Sequence, residues 1–224
     1  MSRNIVFSFD EYYHCYCRGT EKRKIFLDKK DYQRFIHLFF VCNSENTLHL
    51  SDFKERSFTK IFEINRGNTL VDIGAYCLIP NHFHLLLKEK GGGNISLFMQ
   101  KLMTGYTMYF NKKYERTGSL FESKFRAQHI NEDKYLKYIF SYIHLNPLKI
   151  IDTKWRENGL KSKIQAKKFL HKYEYSSYLD YMEEQRAQEI ILNQNAFPEY
   201  FSKKKDFGEE IFDWISIVTV KVEP

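Results

Sequence analysis

The sequence predicts an α+β protein in which helices pack on a mainly antiparallel sheet. Segments with strand-like and helix-like patterns follow one another over residues 12–147 in the order strand, helix, strand, strand, helix, strand, helix. Two of the strands are separated only by the turn signal Pro80-Asn81, which indicates an antiparallel hairpin. With 224 residues, 43% of them hydrophobic, the chain is long enough to bury a core of its own.

The first strand and the first helix are predicted from alternation and helical spacing. Residues 12–19, YYHCYCRG, alternate and end at a glycine, as a strand running into a loop does. Asp28 can cap the next helix, whose apolar stripe is Tyr32, Phe35, Ile36, Phe39 and Phe40. Periodicity is lost over residues 44–68, which we interpret as an insertion.

The hairpin consists of two apolar runs, residues 69–79 and 82–88. The glycines that follow form a loop, and Asn94 is expected to cap a second long helix. Strand-like alternation returns at 119–130, and a further helix is expected to run to about Asn146, where Pro147 ends it.

Beyond about residue 155 the patterns weaken, so we divide the chain into a domain at 1–155 and a C-terminal extension at 156–224. Within the extension, Ser176 or Ser177 can cap a helix, and residues 211–222, IFDWISIVTVKV, are expected to form a late strand.

The charge balance favours a polyanionic partner. The net charge is +7 and the pI is about 9.0, and nucleic acid is favoured over a membrane surface because aromatic residues lie between the basic clusters. Those aromatic residues could stack on bases; they are Tyr12, Tyr13, Tyr16, Phe121 and Phe125. The candidate DNA-binding cations are Arg18, Lys22, Arg23, Lys112, Lys113, Arg116, Lys124 and Arg126.

Neither a membrane span nor a disulfide framework is expected. No apolar stretch approaches the roughly 20 residues that a transmembrane helix needs. The four cysteines lack zinc-site spacing and are expected to be free thiols in a reducing compartment, so a cytoplasmic location is predicted.

Two histidines interrupt the apolar run LIPNHFHLLLKE at residues 78–89. On a strand, His82 and His84 project from the same face with Cα atoms about 6 to 7 Å apart, so both can reach one ion. Two imidazoles are too few ligands for a cation, and a pair of this kind is more often structural. A metal site therefore requires a third ligand and open positions for substrate oxygens.

The helix before Pro147 can supply that ligand. Tyr135, Tyr138, Tyr142 and Asn146 line one of its faces, next to the apolar stripe. Tyr142 and Asn146 lie one turn apart, about 6 Å along the axis, so a phenol and an amide oxygen can meet one site. A tyrosine stripe by itself is usually only the rim of a core.

Four stretches of the sequence resemble the one-tyrosine HUH (His, hydrophobic, His) transposases, in particular the REP-associated tyrosine transposase branch of the IS200-like family. The stretches stand in the same order over residues 12–150: YYHCYCRGTEKRKIFLDKKDYQRFI, GAYCLIPNHFHLLLK, GSLFESKFRA and YIHLNPLK. The resemblance implies a ferredoxin-like, RRM-type sheet and a single-stranded DNA nuclease and strand transferase.

The resemblance also implies roles for individual residues. His82 and His84 would be the metal pair, Tyr142 the nucleophile, and Asn146 the polar residue that completes the site for a divalent ion, Mg or Mn. The partner would be single-stranded or hairpin DNA, and the protein would work as a monomer or as a homodimer that shares a helix in trans. A phenol has a pKa near 10, so its attack on a phosphodiester needs the help that a divalent ion gives.

Two other functions are compatible with parts of the sequence. His82, His84 and Glu89 fit the H-x-H-x4-E core of a cupin metal site, but a jelly roll should be rich in turns, and only ten glycines and four prolines occur here. A catalytically inactive, RRM-like protein that binds single-stranded nucleic acid would explain the charge and the aromatic residues without a metal.

Overall fold

A computed structural model of the protein describes residues 5–50, 53, 57–182, 184–200 and 204–217. Its first seven main elements follow the predicted order. They are β1 (Tyr12–Arg18), α1 (Lys29–Cys42), β2 (Val71–Ile79), β3 (His82–Glu89), α2 (Asn94–Lys113), β4 (Arg126–Ile130) and α3 (Asp133–Leu145).

The four strands form one antiparallel sheet with the spatial order β2-β3-β1-β4. Together with the βαββαβ chain order this is the ferredoxin-like arrangement, so the predicted fold class is confirmed. β3 is hydrogen-bonded on both sides, with His84 opposite Tyr16 of β1 and opposite Cys77 of β2. The strand that carries both histidines is therefore held at the centre of the sheet.

One face of the sheet packs against α1 and α2. Alternate residues of β3, including Phe83 and Leu85, point into this core, as Cys15 of β1 does. Asp28 caps α1 as predicted: its carboxylate accepts from the Asp31 backbone N–H at 3.1 Å, and the Asp31 side chain accepts from the Asp28 N–H in return. This layer is an apolar support for the strands.

The opposite face of the sheet packs against α3. Leu86 of β3 joins Ile139 and Ile143 of α3 in a second core, and His82 and His84 share this face because they alternate with Phe83. α3 ends at Leu145, one residue earlier than expected, and Asn146 begins a 3-10 turn that includes Pro147.

After α3, the described residues form the α-helices α4 (Trp155–Asn158), α5 (Lys163–Leu170), α6 (Tyr178–Tyr181) and α7 (Lys204–Ile217). α7 packs on the outer side of α3, with the ring of Phe207 5.3 Å from that of His144. The late strand expected at 211–222 is wrong for residues 211–217, which are helical, and residues 218–222 lie outside the described part of the chain. The apolar pattern of residues 211–217 fits a helix that packs against α3 as well as it fits a strand.

The extension is also hydrogen-bonded to β2. The Ser177 N–H donates to the Tyr76 carbonyl at 3.0 Å, and the Tyr76 N–H donates to the Ser177 hydroxyl at 2.9 Å. The same hydroxyl lies 2.7 Å from Nε2 of His144, so it links the extension, the sheet and α3.

Two local predictions differ from the structure. The α2 cap is Gly93, at φ +114°, and not Asn94, because the buried Glu89 carboxylate accepts from the Asn94 and Ile95 N–H groups and does the capping. The strand predicted over 119–130 is regular only from Arg126, and before it Phe121 makes an isolated bridge to Gly19.

The segment interpreted as an insertion, 44–68, includes a short 3-10 helix, Lys60–Glu63, in its described part. Phe62 of that turn packs edge-on against Phe40 of α1. The four cysteines are buried free thiols. Within the described ranges, no helix has both the length and the apolar character needed to cross a bilayer.

Candidate active site

The two histidines of β3 lie side by side between the sheet and α3. His82 is 4% exposed and His84 is fully buried, and their rings are 4.9 Å apart at 80°. Because β3 is paired on both sides, the backbone that carries the two imidazoles is fixed by hydrogen bonds.

Each imidazole is held through its Nδ1 atom. Nδ1 of His82 lies 2.8 Å from the Asn81 side-chain oxygen, and Nδ1 of His84 lies 2.9 Å from Nε2 of His14. Both Nε2 atoms are buried and have no hydrogen-bond partner among the described residues. Buried polar atoms are normally satisfied, so this pair of orphaned nitrogens points to a missing partner.

Asn146 contributes a third set of orphaned atoms. Its side chain is fully buried, and neither its amide oxygen nor its nitrogen has a hydrogen-bond partner within the described part of the chain. Two imidazole nitrogens and an amide oxygen are donors that suit a divalent ion such as Mn²⁺, and carbonyl-type oxygen also suits Mg²⁺. Among the described residues, no cluster of three or more His, Cys, Asp or Glu has metal-binding geometry.

Burial keeps the histidines in their neutral form. It lowers the pKa of His82 well below the usual histidine value, and the positive charges of Lys149 and Arg18 lower it further. Burial likewise lowers the pKa of His84, with smaller contributions from His82 and His14. Neutral imidazoles retain the lone pair with which histidine binds a metal.

Tyr142 of α3 lies against the same histidines. Its fully buried ring is 5.4 Å from that of His84 at 83°, and 5.9 Å from that of His14 at 82°. Tyr142 is one helical turn before Asn146, which places the phenol and the amide on the side of α3 that faces the sheet. One chain therefore brings the tyrosine against the histidine pair, and the asparagine follows the tyrosine by one helical turn.

Two cations accompany the tyrosine ring. Lys149 Nζ lies 5.9 Å and Arg156 Cζ 5.0 Å from the centre of the Tyr142 ring, and Arg156 also donates to the Tyr138 hydroxyl at 3.1 Å. The tyrosines predicted to share one face of α3 are neighbours in the structure: the rings of Tyr138 and Tyr142 stack with centroids 6.2 Å apart.

Sequence reasoning missed three of these residues, His14, Lys149 and Arg156. His14, Tyr16 and Arg18 lie on one face of β1 because they are two residues apart, and only the pairing of β1 with β3 shows that this is the face of the histidine pair. Lys149 is the last residue of the stretch YIHLNPLK, so its place near Tyr142 could have been predicted from the sequence. Nothing in the sequence around Arg156 indicates that its side chain lies near Tyr142.

The predicted DNA-binding cations fall into two groups. Lys22, Lys112, Lys124 and Arg126 are exposed, and half-buried Arg18 lies opposite His82 on β1. The others are engaged by neighbouring side chains: Lys113 bridges Asp28 and Asp31, Arg116 donates to the Asn111 side chain, and Arg23 forms a surface ion pair with Glu21.

The predicted stacking residues are mostly unsuitable. Tyr13, Phe121 and Phe125 are buried in the core between the sheet and α1 and α2, so the expectation that they stack on bases is wrong. Tyr12 and Tyr16 remain partly exposed. Alternation along β1 sends Tyr13 inward, and an alternating pattern alone does not reveal which face is covered.

Comparison with known proteins agrees with this architecture. The family model for IS200-like transposases matches residues 8–146, which include both histidines, Tyr142 and Asn146. A solved structure of a REP-associated tyrosine transposase bound to a REP hairpin has a similar fold, with a TM-score of 0.54 and 12% identity. The similarity covers 90% of this chain and 99% of that one. No curated protein matches the sequence. The chain belongs to the IS200-like transposase family.

Proposed function

We propose that the protein is a metal-dependent nuclease and strand transferase for single-stranded DNA, with Tyr142 as its nucleophile. The observation that carries this proposal is the position of Tyr142, whose ring lies 5.4 Å from a histidine with an orphaned Nε2 atom. The cupin alternative is excluded by the four-stranded ferredoxin-like sheet.

The reaction exchanges one phosphodiester for another. The Tyr142 oxygen forms a bond to the scissile phosphorus while the bond from phosphorus to the 3′ oxygen breaks. The phenol gives up its proton, and the departing 3′ oxygen takes one up to become a hydroxyl. The product is a 5′-phosphotyrosine, and since it retains the energy of a diester, a second 3′-hydroxyl can reverse the step without ATP.

His82, His84 and Asn146 would hold the divalent ion, Mg or Mn, through the buried atoms that have no hydrogen-bond partner in the described part of the structure. When bound, the ion supplies Lewis-acid polarisation of the phosphate and stabilises the leaving oxygen.

Lys149 and Arg156 would assist the nucleophile. Both carry positive charge within 6 Å of the centre of the Tyr142 ring, at 5.9 Å and 5.0 Å, where they would stabilise the negative charge of a phenolate. They are also placed to attract the DNA phosphate on which Tyr142 acts.

The proposed substrate is hairpin or palindromic single-stranded DNA. The similar solved structure, which is bound to a REP hairpin, supports this proposal. The net charge of +7 and the exposed cations Lys22, Lys112, Lys124 and Arg126 support binding to phosphate. We assign the chemistry to residues 1–155, assisted by Arg156 at the start of the extension 156–224, whose helix α7 packs on α3. We propose a cytoplasmic protein that acts as a monomer or a homodimer.

The test is formation of a covalent adduct. The protein is incubated with hairpin-flanked single-stranded DNA and Mn²⁺ or Mg²⁺, and adducts are resolved by denaturing electrophoresis. We expect an adduct with the native protein and with Tyr138→Phe, the matched control one turn away, and none with Tyr142→Phe. An adduct that survives Tyr142→Phe would move the nucleophile to another tyrosine. Absence of any adduct on every substrate would favour an inactive, RRM-like nucleic-acid-binding protein.

A further inference from the structure

A third histidine is built into the site from β1. His14 is fully buried, and its ring lies nearly parallel to that of His84, with centroids 5.1 Å apart and planes at 15°. Nε2 of His14 is 2.9 Å from Nδ1 of His84, a hydrogen-bond distance. Since His14 sits on the neighbouring strand, the contact is fixed by the β1–β3 register.

The hydrogen bond determines which nitrogen of His84 carries a proton. Between two neutral imidazoles one nitrogen must donate and the other accept. If His84 donates from Nδ1, its Nε2 atom has a free lone pair, and that atom is buried without a partner among the described residues. If instead His14 donates from Nε2, His84 holds its proton on Nε2 and cannot bind a cation there.

The other histidine of the pair shows the same arrangement with an unambiguous partner. Nδ1 of His82 faces the side-chain oxygen of Asn81 at 2.8 Å, and an amide oxygen can only accept. His82 is therefore held with its proton on Nδ1. Asn81 and His14 thus occupy equivalent positions behind the two imidazoles.

We propose that His14 is a positioning residue for His84: by accepting from Nδ1–H of His84, it holds that imidazole in the tautomer and orientation that present Nε2 to a divalent ion. This inference rests on the proposed function of the site. Partners behind a ligating histidine typically change metal affinity roughly 10- to 100-fold when they are lost.

The first measurement needs no variant. Two-bond nitrogen–proton couplings in the metal-free native protein, labelled with nitrogen-15, report the tautomer of each histidine, and a spectrum of His84→Gln assigns the His84 signals. We expect the proton of His84 on Nδ1 and that of His14 also on Nδ1. A His84 ring protonated on Nε2 would overturn the proposal.

The second measurement is Mn²⁺ affinity, followed by electron paramagnetic resonance of the free ion. His14→Leu removes the acceptor and should raise the dissociation constant roughly 10- to 100-fold. His14→Gln offers an amide oxygen at a similar reach and should restore most of the affinity. His37→Leu is the control. His37 is also a buried histidine, but it belongs to α1, on the other side of the sheet, and its Nε2 atom is 2.9 Å from the Phe58 carbonyl oxygen.

The outcomes separate this inference from the proposed function. If the native protein binds Mn²⁺ and forms the adduct but His14→Leu retains its affinity, His14 is only a packing residue and the inference is wrong. If the native protein binds no Mn²⁺ and forms no adduct, the proposed function itself is wrong. Equal weakening in His14→Leu and His37→Leu would show a general loss of stability and would also reject the specific role.

Discussion

The rings of Tyr142 and His84 meet edge to face within one chain, 5.4 Å apart at 83°. α3 packs on the same sheet that carries the histidine pair, so the tyrosine reaches its own histidines without a second copy of the protein. In this single protomer, the tyrosine and the histidine pair therefore lie together between α3 and the sheet.

The first prediction concerns complementation. An equimolar mixture of Tyr142→Phe and His84→Ala should form no DNA adduct, because neither chain holds a complete site. Adduct yield on denaturing gels measures this, with each variant alone and the native protein at half concentration as controls. Recovery of a substantial part of the native yield would show that α3 is exchanged between protomers.

The second prediction separates chemistry from binding. His82→Ala and His84→Ala should lose cleavage yet retain most of the DNA affinity, because Lys and Arg residues elsewhere still neutralise phosphate. Chelation of divalent ions should have the same effect on the native protein. Fluorescence anisotropy gives the affinity and gel analysis the cleavage. Loss of both properties in parallel would mean that the pair is only structural.

The third prediction concerns the cations over the tyrosine ring. Arg156→Gln and Lys149→Gln should each slow adduct formation, by roughly tenfold or more, because removal of a positive charge near a developing negative charge costs at least about 1.4 kcal/mol. Lys124→Gln, which removes an exposed charge, is the matched control and should chiefly weaken binding and its salt dependence. Single-turnover rates at saturating DNA distinguish the two effects. Equal rates in all three variants would contradict the assignment.

The fourth prediction is about stability. Phe207 of α7 is buried against Phe140 and His144 of α3, so Phe207→Ala should lower the free energy of unfolding by about 3 to 5 kcal/mol. Ile164→Ala removes an isoleucine that is 81% exposed and should change it by less than about 0.5 kcal/mol. Urea unfolding measures both. A change of similar size in the two variants would show that α7 does not stabilise α3.

The fifth prediction is a pH dependence. Burial lowers the pKa of His37 in the folded protein. In the unfolded chain this histidine is protonated near its ordinary pKa of about 6.5, whereas in the folded protein it is protonated only at a lower pH. Stability that is present above that pH is therefore lost as the pH falls. Between pH 7.5 and 5.5, the free energy of unfolding should therefore fall less in His37→Gln than in the native protein. The difference should be a fraction of the roughly 1.4 kcal/mol expected if the folded protein did not protonate His37 at all. Urea titrations at the two pH values test this, and an identical loss in both proteins would refute it.

The sequence allowed the sheet and its helices to be predicted because local patterns specify them. Asp28 is followed by an amphipathic stripe, and Pro80-Asn81 separates two apolar runs, so each element carries its own signal. The extension was harder: residues 211–217 are apolar enough for either a strand or a helix, and packing on α3 decides between them.

The site was predictable where its members are neighbours in sequence and not where they meet across strands. His82 with His84, and Tyr142 with Asn146, are spaced by the periods of a strand and a helix. His14 is 70 residues from His84, and their contact depends on the pairing register of β1 and β3. Tyr13 was expected to stack on bases, but its side chain points into the core. The pattern of alternation alone does not show which face of a strand is covered.

The central location of β3 has a consequence for how the gene can vary. Since side chains alternate along a strand, inserting or deleting a single codon between the Pro80-Asn81 turn and His84 would rotate Phe83 toward α3 and an imidazole toward α1 and α2. A change of length in this strand should therefore disrupt the site, whereas the insertion at 44–68 should tolerate one.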